Sequence, residues 1–509
     1  MKKSLPFLFL LTFAQVNAQC NYRLTSSYNN SSKQISVNGM FFRDLANGLA
    51  TYKPNKYSGI TAIYQSSFSV YGKDNNGQDH LSVTTFDGSD FSCGPIATDY
   101  SNTNYSNGFS NSIWSVYKFE VDQHIQNWNT AGYVIPPSII HWPGNGDVSN
   151  GMMNEFAPYA DVNGNGTYDP ENGDYPDILG DQAYFLVLND QNNNQFAGTL
   201  PLNIELHVLF YEFVSTDALN STTFVNVKVF NRSTETYSDF RFNVFNDFDL
   251  GNYTDDFCGV DELRKMVYVY NGDPVDESTP VNAGYGTNPP AIGMVSLNHP
   301  LSSSVFPGDT ILPNANNEYL QVIMGKNPDG TAITNGSIPT VFQYSDTLNT
   351  GYNEVALNHT PGDRRTFSSV SLGTLAPNSV KCLDFAWIYA RNAGETSLFN
   401  SVDSLMKVAD FIQDFYDHYA PCTDGTLQVQ EVKAGTFKLY PNPSNGQLNC
   451  ISGQNMDLIE VWNTDGKLIR SFQDQGKETQ LDLEQLPAGF YLVKIGSGGE
   501  IHVVPFFKQ

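Results

Sequence analysis

Apolar and polar residues alternate with a period of two along much of the chain. Val225, Val227 and Val229 alternate with Asn226 and Lys228, and Phe240, Phe242 and Val244 alternate with Arg241 and Asn243. Leu383, Phe385, Trp387 and Tyr389 repeat the pattern. This period turns one face of a β-strand to a core and the other to water. Leu206–Val214 is apolar on both faces apart from His207 and Glu212, and is expected to be a central strand covered on both sides. Clusters of Gly, Pro, Asn and Asp punctuate these runs. A helical period stands out once: Val402, Leu405, Ala409, Ile412, Phe415 and Tyr419 mark one face of a helix near Val402–Tyr419. A shorter helix is expected near Glu120–Trp128. The patterning predicts an all-β chain of stacked β-sandwich domains with minor helix. No internal repeat of solenoid length is present.

The ends of the chain change this picture. Met1–Ala18 reads as a signal peptide: Lys2 and Lys3, the short apolar stretch Leu5–Ala14, and small residues before a cleavage point near Ala18. Cys20 lies where a lipoprotein would carry its lipid, but Gln19 stands where a lipobox needs a small residue. No later segment is long and apolar enough for a membrane span. At 509 residues the chain exceeds one typical core. The expected divisions are residues 1–18, the signal peptide; 19–180, a β-rich N-terminal region; 181–392, the main β-sandwich; 393–436, helix and linker; and 437–509, a small terminal domain. In that domain Pro441 and Pro443 restrict Leu439–Gly446 (LYPNPSNG) to an edge. Asn463–Gly466 supplies a turn. Leu486–Gly489 opens a strand bearing Tyr491, Val493 and Ile495 on one face. About seven short strands make a small Ig-like sandwich.

The L-Y-P-N-P-x-x-G opening, the N-x-x-G hairpin at Asn463–Gly466 and the L-P-x-G-x-Y turn at Leu486–Tyr491 resemble the type A C-terminal sorting domain of the type IX secretion system of Bacteroidota. The resemblance covers Phe437–Gln509. It implies passage across the outer membrane by the type IX machinery, removal of the domain, and release or anchoring to surface polysaccharide. Such domains usually finish on a basic strand, whereas Val503–Gln509 carries Pro505 and a single Lys. Phe156–Asp190, GYGTNPPAIG at Gly284–Gly293, GDRR at Gly362–Arg365 and FAWIYAR at Phe385–Arg391 resemble a recurring Bacteroidota surface-protein body. That body implies no activity and no catalytic residue.

Charge narrows the partners. The chain holds 27 Lys and Arg against 53 Asp and Glu, a net −26. Such a surface repels nucleic acid and anionic lipid. It suits a soluble exported protein or one that binds divalent cations. Six cysteines, at 20, 93, 258, 382, 422 and 450, admit 15 complete pairings. Cys450, in an apolar run, is expected to be a buried thiol.

Asp161-Val-Asn163-Gly-Asn165-Gly-Thr167-Tyr-Asp169-Pro-Glu171-Asn172-Gly-Asp174 is the best chemical motif. A hard cation such as calcium takes oxygen ligands from a tightly curled loop. Asp161, Asn163, Asn165 and Asp169 recur at the required spacing, Thr167 offers a carbonyl, and Gly166 permits the curl. The pattern is similar to EF-hand, dockerin and thrombospondin type 3 loops. It departs where Asn172 replaces the closing acid, with Glu171 or Asp174 left to compensate. The alternative is a turn-rich connector that needs no metal. A second run, Asp247, Asp249, Asp255, Asp256 and Asp261, is expected to be either a cation-stabilised or a solvated loop. Asp74–Asp79 reads as a hairpin turn.

No H-E-x-x-H, G-x-S-x-G, phosphate-binding loop or dinucleotide fingerprint occurs. The eight histidines are dispersed. Arg364 and Arg365 are expected to pair with some of the many carboxylates, a clamp on an acidic sugar being the functional alternative. Trp114, Trp128, Trp142 and Trp387 are expected in cores, with sugar stacking the alternative. Together these features point to a secreted or cell-surface protein, adhesive or structural, non-enzymatic and calcium-stabilised. A surface polysaccharide or other glycan is its candidate ligand. The rival expectation is a secreted hydrolase acting on polysaccharide or protein.

Overall fold

Two antiparallel sheets built from the alternating segments share one core. The computed structural model describes residues 20–508 except 192–195, 197, 281, 308–311, 346–350, 393, 395–396, 420–421, 423–424, 427–437, 442–443, 452–454, 464–466, 488 and 498–499. The expected signal peptide, most of the linker, Pro443 and residues 464–466 of the N-x-x-G turn lie outside the described residues. The chain divides into two compact units, Met1–Asp414 with Pro421–Leu427, and Phe415–Ala420 with Gln428–Gln509.

The first unit holds a ten-stranded and a five-stranded sheet. The larger runs in the order Asp256–Asp261, Met266–Asn271, Ala291–Ser296, Ser379–Ala390, Thr223–Asn231, Ile204–Glu212, Gln182–Asn189 and Ser92–Cys93. Trp114–Tyr117 also pairs with Gln182–Asn189, and Gly425–Thr426 with Ser379–Ala390. The smaller runs Ser303–Val305, Arg364–Leu375, Tyr237–Phe248, Gln65–Lys73 and Asp79–Ser82. The boundary drawn at 180/181 passes through this unit, because strands from both sides of it share both sheets. Asp74–Gln78 is the turn between Gln65–Lys73 and Asp79–Ser82, with Asp74 N–H donating to Gln78 O at 3.0 Å.

Val225, Val227, Val229, Phe242, Val244, Phe385 and Trp387 are all buried in the core between the sheets. Full burial of each such side chain contributes about 1.5–3 kcal/mol. Trp387 packs edge-on to Phe42 at 5.0 Å, and its indole N–H donates to Asn246 Oδ1 at 2.9 Å. Ile204–Glu212 is buried at every position, as its two apolar faces require, but the strand stops there and Val214, expected within it, is exposed. Its far face is covered in part by the N-terminal region, where Trp114, Trp142 and Phe156 surround Phe185. The long helix spans Asn400–Tyr419 and the shorter one Lys118–Asn127. Disulfides join Cys20 to Cys93 and Cys382 to Cys422, while Cys258 and Cys450 are buried thiols.

The second unit carries seven strands in sheets of three and four. Leu448, Cys450 and Leu481 from one sheet and Ile459, Val461, Tyr491, Val493 and Ile495 from the other form a single core. Pro505 lies in Glu500–Lys508, at the end of the four-stranded order, where a missing N–H breaks no ladder between two neighbours. No helix among the described residues is long and apolar enough to cross a membrane.

Candidate metal centre

The loop Asp161–Asp174 is curled by its own polar groups. Asp161 Oδ1 accepts the N–H groups of Gly164 and Asn165 at 2.7 and 3.2 Å, and Oδ2 that of Gly166 at 2.7 Å. Asn163 Oδ1 accepts Asn165 N–H at 3.0 Å, and Asn165 Oδ1 accepts Thr167 N–H at 2.7 Å. The side-chain amides of Asn163, Asn165 and Asn172 all donate to Asp169 at 2.9 Å. Asp174 is buried; its oxygens accept Val162 N–H at 2.8 Å and Asp169 N–H at 2.9 Å. These bonds link Asp161, Asn163, Asn165, Thr167, Asp169 and Asp174, the six residues singled out by sequence.

Gly166 takes φ +74° and Gly173 φ +103°, conformations in which a side chain is strained. A Cβ on Gly173 would also reach 2.8 Å from Trp128. The loop is fixed to the helix Lys118–Asn127 by His124, whose Nε2–H donates to Asp174 O at 3.1 Å. The Asn172 amide leads the effects that hold the Asp169 carboxyl below its ordinary range, whereas burial pushes that of Asp174 up. The donor set fits a hard cation: carboxylates at 161, 169 and 174, amides at 163, 165 and 172, and backbone carbonyls. The oxygens of Asn163 and Asn165 already accept backbone N–H groups, so binding an ion there would exchange those bonds for coordination.

The second acidic run separates. Asp247 and Asp249 meet Asp363, with one ligand oxygen from each lying within 4.8 Å of the others. Arg365 enters this trio, its Nε 3.1 Å from Asp247 Oδ1 and its Nη2 bonded to Asp363. Burial pushes the Asp247 carboxyl up to about 7 against the pull of Arg365, and burial likewise pushes Asp249 well up. Asp256 is buried and strongly raised, with Asp255 beside it raised to about 6. Asp261 leaves the group and pairs with Arg264 at 2.8 Å. A guanidinium therefore sits where the sequence suggested either a cation or solvent. Asp363 was the residue missed; the GDRR run that contains it was the available signal.

Arg364 binds Glu354 through two bonds of 2.9 and 3.0 Å, so both arginines serve ion pairs. His207 is buried with Nε2 2.7 Å from Glu205, which also binds Arg232 at 2.9 Å. Trp142 and Trp387 are buried, and Trp114 and Trp128 half-buried. The Cys20 sulfur is committed to Cys93, which leaves no thiol there for a lipid thioether.

Residues 438–507 match the family described as a secretion system C-terminal sorting domain. The chain thus carries a type IX sorting domain at its C-terminus, which implies engagement with that machinery and a secreted or outer-surface location. No curated protein matches the sequence. Among solved structures, a polysaccharide lyase is similar at 11% identity and a TM-score of 0.19, covering 60% of this chain and 34% of its own. Another is PorZ, an essential bacterial surface component of the type-IX secretion system of Porphyromonas gingivalis. It aligns at 10% identity and a TM-score of 0.13, covering 96% of this chain and 75% of its own. Similarity at these scores carries no argument about fold or activity.

Proposed function

We propose that the chain is a non-enzymatic protein of the outer surface or the medium, adhesive or structural in role, with a body stabilised by calcium at Asp161–Asp174. After export its ligand is a surface polysaccharide or another glycan. One observation carries the calcium reading: a fourteen-residue curl in which backbone N–H groups and three side-chain amides bond Asp161, Asp169 and Asp174, with left-handed glycines at 164, 166 and 173. Oxygen-rich curls of this kind take hard cations because carboxylate and carbonyl oxygens replace the ion's hydration shell. Asp161, Asn163, Asn165, Asp169 and Asp174 would hold the ion through side chains and Thr167 through its carbonyl.

Thermal melting of the purified chain, with calcium and then with chelator, tests the site. Calcium is expected to raise the wild-type melting temperature by about 1 °C for each kcal/mol of linked binding free energy. Asp161→Ala should abolish that increment. A wild-type melt that chelator leaves unchanged would defeat the calcium reading.

A further inference from the structure

The register of two strands builds a small tile of aromatic and hydroxyl side chains at one end of the large sheet. Ser115 and Tyr117 alternate onto one face of Trp114–Tyr117, where Tyr184 pairs with Ser115 and Gln182 with Tyr117. The segment after Arg23–Ser26 brings Ser27 and Tyr28 alongside, and these six residues, with Leu24 and Thr25, line a cavity of about 300 Å³. Tyr28 lies 5.1 Å from Tyr117, and Tyr117 stacks on Phe119 at 5.3 Å. Tyr28, which lines the cavity, is 38% exposed, and Phe119, which backs Tyr117 from outside the lining, is 52% exposed, so aromatic faces are bare beside the cavity.

The floor is held rigidly from beneath. Tyr184 donates its hydroxyl to Glu212 at 3.2 Å, and Glu212 also accepts Ser26 Oγ at 2.5 Å and Lys33 Nζ at 2.7 Å. Lys33 and Glu212 are both buried, so the charge below the cavity is already neutralised. The lining itself carries hydroxyls, an amide and aromatic faces but no charged side chain.

We propose that this cavity binds one ring of a neutral glycan. This deepens the adhesive reading above and rests on it. A sugar ring offers a C–H face that packs on an aromatic ring, and hydroxyls that both donate to and accept from Ser, Tyr and Gln. Asp181, close enough to Tyr28 to help raise its hydroxyl pKa after burial, disfavours an acidic sugar. The chain's net −26 acts in the same direction.

The test is equilibrium binding of the full chain to neutral gluco-, manno-, xylo- and galacto-oligosaccharides, with oligogalacturonate as the acidic control. Tyr117→Ala and the rim variants Tyr28→Ala and Phe119→Ala are compared with wild type. Wild type is expected to bind at least one neutral oligosaccharide. Each rim variant should bind it about tenfold more weakly, the size of one lost aromatic contact. The rim variants keep the wild-type melt, so a folding defect in Tyr117→Ala leaves the result readable. Equal affinity in wild type and rim variants, tighter binding of oligogalacturonate, or no neutral binding at all would each overturn the inference. The adhesive reading is scored separately, by attachment of cells that lack the protein. Attachment lost while the purified chain binds no neutral oligosaccharide would remove this site and leave that reading standing.

Discussion

Two regions gather carboxylates and deal with the charge in opposite ways. The loop Asp161–Asp174 keeps Asp161 and Glu171 at the surface and answers its acids with backbone N–H groups and amides. The trio Asp247, Asp249 and Asp363 lies deeper and is answered by Arg365. Backbone donors answer the loop acids with partial charges, whereas the guanidinium brings a full positive charge to Asp247 and Asp363. The same residue types thus give a loop tied by its own backbone in one region and an internal ion-pair network in the other.

The largest effect should come from removing the guanidinium. Arg365→Met leaves Asp247 and Asp363 without their shared cation. Breaking a buried pair from one side costs about 3–5 kcal/mol. Denaturant unfolding should register that loss; a loss below about 1 kcal/mol would mean that the trio is neutralised by something else.

A pH series isolates the same group. The Asp247 pKa in the folded chain is raised to about 7 from an ordinary 3.8, so folding favours the protonated acid. The stability this contributes is fully present below about pH 4 and is lost as pH rises through about 7. Asp247→Asn cannot ionise. Its melting temperature relative to wild type should therefore rise between about pH 4 and pH 8. A constant difference across that range would break the contrast between the two regions.

The smallest of the three effects belongs to the loop. Gly173→Ala combines a left-handed conformation with a contact on Trp128 and should cost about 1–3 kcal/mol. Because the strain falls next to Asp174, calcium should recover less stability in this variant than in wild type. Equal recovery would detach the loop's curl from its affinity for the ion.

Much of the fold was legible where the signal is local. The strands Thr223–Asn231, Tyr237–Phe248 and Ser379–Ala390, the helix Asn400–Tyr419 and the left-handed Gly166 of the loop Asp161–Asp174 all follow from residues a few positions apart. What escaped was set by contacts distant in sequence. Asp363 joins Asp247 only because Arg364–Leu375 pairs with Tyr237–Phe248. Lys33 finds Glu212 across 179 positions, and Cys20 finds Cys93 across 73. The division at residue 180 fails for the same reason, since strands on both sides of it complete the same sheets. The aromatic cavity has no motif at all, since Tyr28, Tyr117 and Tyr184 become neighbours only through register.

The Cys382–Cys422 bond also has a mechanical meaning. It closes a covalent ring that contains the helix Asn400–Tyr419, and Gly425–Thr426 is laced beside it to Ser379 and Val380. Tension pulled on the chain beyond Thr426 passes through sulfur into Ser379–Ala390, a strand flanked on both sides by Thr223–Asn231 and Ala291–Ser296. The helix is shunted out of the path of the force. Traction from the C-terminal direction reaches the two ladders of hydrogen bonds beside Ser379–Ala390 without passing along the helix, which keeps its own packing through Val402, Leu405 and Ile412.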